Sequence, residues 1–151
     1  METASSIQNT VQAAFKFVFV MQKIADRVLK EKKAISSSQF RILMALKRHP
    51  DCPQKKIAEF WNMTEASVSR QIELLEKESF ITKKQNFGNR RSVILTITPK
   101  GEKMLQTSLG ILGKNSGRLF SDISEKERKA CFHVLTKMFE KAKSEVELFK
   151  S

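Results

Sequence analysis

In the stretch TEASVSRQIELLEKESFITKKQNFGNRR, residues 64 to 91, Thr64, Ser67 and Ser69 bring hydroxyls, Gln71 an amide and Arg70 a guanidinium into one short run. Hydroxyls and amides donate and accept hydrogen bonds, and a guanidinium offers a planar fork of donors. Such a set can bond phosphate oxygens or the edges of nucleobases. Basic residues follow: the charged residues between Glu78 and Glu102 are Lys83, Lys84, Arg90, Arg91 and Lys100, all positive. Taken alone, a basic cluster of this kind reads as a solvated hairpin. Next to a helix that displays hydroxyls and an arginine, it points to a polyanion.

The elements that position these groups follow from spacing. Thr64 suits a helix N-cap, with Glu65 in the first turn where the helix dipole favours an anion. Val68, Ile72 and Leu75 fall on one stripe, Ala66, Arg70, Glu73 and Lys77 on the opposite one, and Ser67 and Ser69 on the flanks. The β-branched runs FITKK and SVILTIT predict two strands around a turn at QNFGNRR, where Gly88 can take a positive φ. Upstream, the serines of ISSSQF open a helix through Phe40, Ile42, Leu43 and Leu46 to about Arg48, ended by His49-Pro50-Asp51. Pro53 suits the first turn of a short helix, PQKKIAEFW, and Asn62-Met63 the connection to the next.

Long helices flank this region. From about Ser5 to Lys32 there is no Gly or Pro, and Ile7, Val11, Ala14, Phe15, Val18, Met21, Ile24 and Val28 recur at helical spacing. Phe17, Phe19 and Val20 add apolar groups on the remaining faces, so the helix needs cover on more than one side, and a second subunit is the natural source. Thr98-Pro99 opens a fifth helix through Met104, Leu105 and Leu109, weakened near its end by Gly110 and Gly113. A capping box from Ser124 to Glu127 opens the last helix, with Cys131, Val134, Leu135, Met138 and Ala142 on one face.

Three short helices followed by a two-stranded hairpin are the parts of a winged helix, whose third helix enters the major groove of DNA. The small side chains of Ala66, Ser67 and Ser69 permit close approach, and Arg70 can bond O6 and N7 of guanine. The hairpin tip can place an arginine in the narrow, negative minor groove. The expected fold is therefore mainly α with a small β-hairpin wing: a winged helix-turn-helix lobe over 37–98, between a dimerisation helix in 1–36 and dimerisation helices in 99–151.

Residues 36 to 105, and within them SVSRQIELLEK and NRRSVILTITPKG, resemble the central region of MarR-type transcription regulators, and the flanking helices agree in placement. The resemblance implies a homodimer with interlocked N- and C-terminal helices. It also implies a transcription regulator, in many members a repressor released by a small phenolic or other aromatic ligand or by oxidation. By position it carries DNA contact to Ser67, Ser69, Arg70 and Gln71. At the wing, the family's Asp-x-Arg pattern falls on Asn89 and Arg91, so an amide oxygen stands where a carboxylate would orient the arginine. A glycine usual before the wing is replaced by Ser79.

The expected DNA-contacting set is thus Thr64, Ser67, Ser69, Arg70, Gln71, Lys83, Lys84, Asn89, Arg90 and Arg91, on a pseudo-palindromic duplex. An effector pocket is expected between the dimer helices and the lobe, near Phe15, Phe19, Ile42 and Leu46, although these side chains equally suit a core. An alternative is a winged-helix adaptor or antagonist that offers the same face to another protein.

Composition agrees with this direction. The 151 residues carry a net charge of +12 and a pI of 9.9, which suits a polyanion. Cys52 and Cys131 are distant and lack a C-x-x-C partner, so no disulfide framework or cysteine zinc site is expected, and a cytoplasmic setting fits. Cys131 is expected to be packed and His133 exposed, on opposite sides of a helix, which argues against shared metal ligation. Neither His49 nor His133 has a nucleophile nearby, so neither catalysis nor a cofactor is expected. The apolar run AAFKFVFVM is too short to span a membrane, and no targeting segment is read before it.

Overall fold

A computed structural model describes residues 2–85 and 93–145, with side chains for 4–84 and 93–144. Its elements, in chain order, are α1 (Glu2–Glu31), α2 (Ser37–Arg48), α3 (Gln54–Phe60), α4 (Glu65–Lys77), β1 (Ile81–Gln85), β2 (Val93–Ile97), α5 (Pro99–Leu119) and α6 (Glu125–Glu145). The fold is mainly α with a small β-hairpin wing.

Local chemistry sets most boundaries. At the start of α2, Ser36 Oγ accepts from Gln39 N at 3.2 Å while the Gln39 side chain accepts from Ser36 N at 3.0 Å, so two orphan N–H groups are satisfied at once. Thr98 Oγ1 accepts from Gly101 N at 3.0 Å ahead of α5. Before α6, Ser124 N donates to Glu127 Oε2 at 2.9 Å and Glu127 N donates to Ser124 Oγ at 3.3 Å. Pro53 stands one place earlier than expected, as the extended N-cap of α3 rather than inside its first turn. The fifth helix runs through Gly110 and Gly113 to Leu119, since open space around each glycine leaves only its intrinsic penalty of roughly 1 kcal/mol.

The core sits in the lobe. Ile35, Ile42, Leu43, Leu46, Ile57, Val68, Ile72, Leu75, Phe80, Ile81, Leu95 and Leu105 belong to one buried cluster that runs from the approach to α2 through α5. The strands pair antiparallel from Ile81↔Ile97 to Gln85↔Val93, which puts Ile81 and Leu95 on the inward face. Lys47 Nζ reaches Glu102 Oε1 at 2.6 Å and ties α2 to α5. At the other edge, the buried Ser37 hydroxyl donates to the Asp26 carboxylate and braces α1 against the start of α2.

The long helices project beyond this core. Ile7, Val11, Phe15 and Val18 form an exposed stripe on α1, with Phe15 at 74% exposure, and Phe132, Leu135 and Met138 are exposed on α6. Cys131, expected to be packed, is exposed with the rest of that helix, because nothing among the described residues covers its apolar face.

Candidate nucleic-acid interface

Thr64 adopts an extended conformation, φ −75° and ψ 147°, and its hydroxyl accepts from Ser67 N at 3.1 Å. The cap fixes where α4 begins. Val68, Ile72 and Leu75 anchor the helix inward, leaving Ala66, Arg70, Glu73 and Lys77 exposed and Ser67, Ser69 and Gln71 half-buried at its sides. Arg70 has no partner among the described residues, so its guanidinium keeps all its donors for a ligand.

The turn into the wing is tight. Ser79 N donates to Glu76 O and Phe80 N to Leu75 O, both at 2.8 Å, and Ser79 takes a φ of 60°. The serine therefore occupies the left-handed region that a glycine would enter without penalty. Thr98 locks the far side, donating from its backbone N to Phe80 O at 3.0 Å and from its hydroxyl to Ser79 O at 2.7 Å.

The basic residues divide into pinned and free. Lys83 shares the inward strand face with Ile81, and its amine reaches back to Glu76 Oε2 at 2.9 Å. Lys100 donates to Glu78 O at 2.7 Å and lies over the Phe80 ring, 4.9 Å from its centroid. Lys84, on the outward face, is exposed and unpaired among the described residues. Asn89, Arg90 and Arg91, like Gly88, lie outside the described residues. Linear spacing gives no hint of the Glu76–Lys83 pair, because the reversal at Ser79 is what brings the end of α4 beside β1.

The four residues expected near an effector do not converge. Ile42 and Leu46 are buried in the lobe core, whereas Phe15 and Phe19 are exposed on the projecting part of α1. Among the described residues there is no cluster of three or more metal-ligating side chains, and no helix is long and apolar enough to cross a membrane.

A capped helix with an open outer face, set beside a two-stranded wing on a shared core, is the geometry of a winged helix-turn-helix. The MarR family model matches residues 35–93, which run from the approach to α2 into β2. Residues 35–93 carry a MarR-type lobe. The chain is similar to the HTH-type transcriptional regulator BilQ of Clostridium symbiosum, 27% identical over 108 residues that cover 72% of this chain and 75% of that one. It is also similar to the HTH-type transcriptional repressor MdtR of Bacillus subtilis, 24% identical over 147 residues, 96% of this chain and 94% of the relative. In fold it is similar to a MarR transcriptional regulator from Methanosarcina mazei Go1, with a TM-score of 0.77 and 23% identity over 91% of this chain and 99% of that one. The matched lobe is that of DNA-binding transcription regulators rather than of enzymes, and the relatives it resembles are transcription regulators.

Proposed function

We propose that the chain acts in the cytoplasm as a homodimeric, sequence-specific repressor whose hold on DNA is modulated by a small-molecule ligand. The single observation that carries the reading of sequence is Arg70: exposed, unpartnered among the described residues and flanked by small side chains on a helix locked to the core. Arg70 reads a base edge in the major groove, while Thr64, Ser67, Ser69 and Gln71 bond phosphates or neighbouring bases. Lys83 and Lys84 follow the backbone, and Asn89, Arg90 and Arg91 reach toward the minor groove.

Dimerisation through residues 1–36 and 99–151 is supported by the apolar stripes left open on α1 and α6, which a soluble chain must cover. A two-fold dimer matches a pseudo-palindrome with half-site centres about 34–36 Å apart, one turn of the duplex. Repression is supported by the similarity to MdtR, a protein named as a repressor. Control by a ligand, aromatic in the family's usual manner, is supported by the resemblance of lobe and flanking helices alike.

Selection of duplexes from a random pool, followed by sequencing, tests the reading. A two-fold-symmetric site should emerge, and Arg70→Ala should lose roughly 1–3 kcal/mol on it while relaxing preference at one position per half-site. If no sequence is enriched even at low salt, the face serves a protein partner instead.

A further inference from the structure

The chain turns from α4 into the wing at Glu78, Ser79 and Phe80, and the start of α5 holds each of them. Thr98 N donates to Phe80 O at 3.0 Å and the Thr98 hydroxyl to Ser79 O at 2.7 Å. Lys100 Nζ donates to Glu78 O at 2.7 Å. Ser79 stands at a φ of 60°, so the direction in which β1 leaves α4 is set within this reversal. Glu102, in the same turn of α5, meets Lys47 of α2 at 2.6 Å and fixes that turn to the lobe.

The placement of Lys100 serves a neighbouring helix rather than its own. Pro99 opens α5, so Lys100 stands in the first turn, at the positive end of that helix's dipole, where a cation is unfavourable. Glu78 is the C-cap of α4, and its carbonyl belongs to the negative end of the other dipole, among groups that a helix leaves without donors of its own. Lys100 supplies a donor and a positive charge there. Its ammonium also lies 4.9 Å from the centroid of the Phe80 ring, within cation–π range, and Phe80 is buried in the lobe core. Lys84 is exposed and unpaired among the described residues, whereas the charge of Lys100 is engaged by a carbonyl and a ring.

We propose that Lys100 is a positioning residue for DNA binding: it ties the base of the wing to the C-terminal end of α4, so that the wing and the outer face of α4 are held at one angle before a duplex arrives. The proposal rests on the reading of the lobe as a DNA binder. Without the tie, part of the population holds the wing at other angles, and apparent affinity falls with the fraction that remains competent. The contacts made in the complex stay the same, so the number of phosphates neutralised does not change.

The test uses the full chain and a duplex that it selects from a random pool, with anisotropy titrations at several salt concentrations between about 50 and 200 mM. Lys100→Met keeps an apolar stem over Phe80 and removes the ammonium. It should weaken binding about threefold to tenfold, the scale of one net hydrogen bond, on a line of log affinity against log salt parallel to that of the parent. Amide exchange at Ser79 and Phe80 should accelerate in the free protein, and Lys100→Arg should restore most of the affinity. Lys100 is exposed, so thermal melts should show the variants folded, and Lys100→Gln should repeat the result of Lys100→Met. A slope smaller by about 0.9 overturns the proposal, since Lys100 would then be a phosphate contact. Unchanged affinity, unchanged exchange, or an arginine variant no better than the methionine one overturns it as well. A parent that binds no duplex even at low salt overturns the DNA reading and the proposal with it, whereas parental binding that none of the substitutions alters overturns the proposal alone.

Discussion

The backbone carbonyl of Phe80 packs directly against the α-carbon of Gly101. A β-carbon added there would overlap the carbonyl oxygen and stand 2.9 Å from Ile97 Cγ2. The carbonyl cannot give way, because it also accepts the Thr98 N–H that joins the wing to α5. Gly101→Ala should therefore cost about 2–3 kcal/mol, the scale of an overpacked core, and should weaken DNA binding by displacing the wing. A urea midpoint equal to that of the parent would show that the contact yields.

Ser79→Gly should act in the opposite direction. Serine holds a φ of 60° in a turn closed by backbone hydrogen bonds on both sides. Relief of roughly 1–2 kcal/mol of left-handed strain exceeds the extra chain entropy that glycine loses on folding, leaving a net gain of about 0.5–1 kcal/mol. Thermal melts of the two proteins at one concentration decide the sign.

Elements were legible in the sequence where their determinants are local. The caps at Ser36, Thr64, Thr98 and Ser124 each meet a partner three residues on, so spacing alone reveals them. The buried stripe Val68, Ile72 and Leu75 was readable for the same reason, and it leaves Arg70 facing out. Features that depend on tertiary geometry were not legible. Lys83 looked like one more free cation, yet a turn and a strand register deliver it to Glu76. Ile42 and Leu46 carry helical spacing that fits either a pocket or a core, and their burial appears only once α2 closes against the lobe. Cys131 sits on a helical face that no other described element covers, which the spacing within its helix could not reveal.

The division between Lys83 and Lys84 has a measurable consequence. Lys84→Ala should lower the slope of log affinity against log salt by about 0.9, the loss of one phosphate contact. Lys83→Ala should lower it by less, because its charge is already shared with Glu76 at 2.9 Å. Titrations at several salt concentrations between about 50 and 200 mM give both slopes. Equal losses would mean that Lys83 leaves its carboxylate on binding.

A dimer held by the α1 stripe should be separable without unfolding the lobe. Phe15 is 74% exposed in one chain and Val18 52%, so charged replacements there leave the buried lobe core untouched. Phe15→Glu with Val18→Glu should give a folded monomer in sedimentation velocity, with loss of the two-fold site but not of non-specific binding. A dimer that persists would move the interface elsewhere.

The start of α6 should loosen in acid. Glu127 has its pKa lowered, first by the Ser124 hydroxyl and then by the Ser124 backbone N–H. Since the folded value lies below the unfolded one, the stabilisation is complete above the ordinary glutamate range and disappears as pH falls through the folded value. Amide exchange at residues 125 to 128, corrected for intrinsic rates, should accelerate over that interval. Glu127→Gln should flatten the dependence.

The brace between Asp26 and Ser37 makes α1 a lever. Its 30 residues extend about 45 Å; Leu29 is buried near its C-terminal end, Asp26 meets Ser37 there, and the helix also packs against α5. A tilt of about 5° about Asp26 sweeps the far end, roughly 36 Å away, through about 3 Å, roughly half the rise of one helical turn. In a dimer built on α1 the two half-sites of a duplex would stand at a fixed separation, so small angular adjustments where α1 meets α2 and α5 would decide whether both lobes keep step with the helical pitch of DNA.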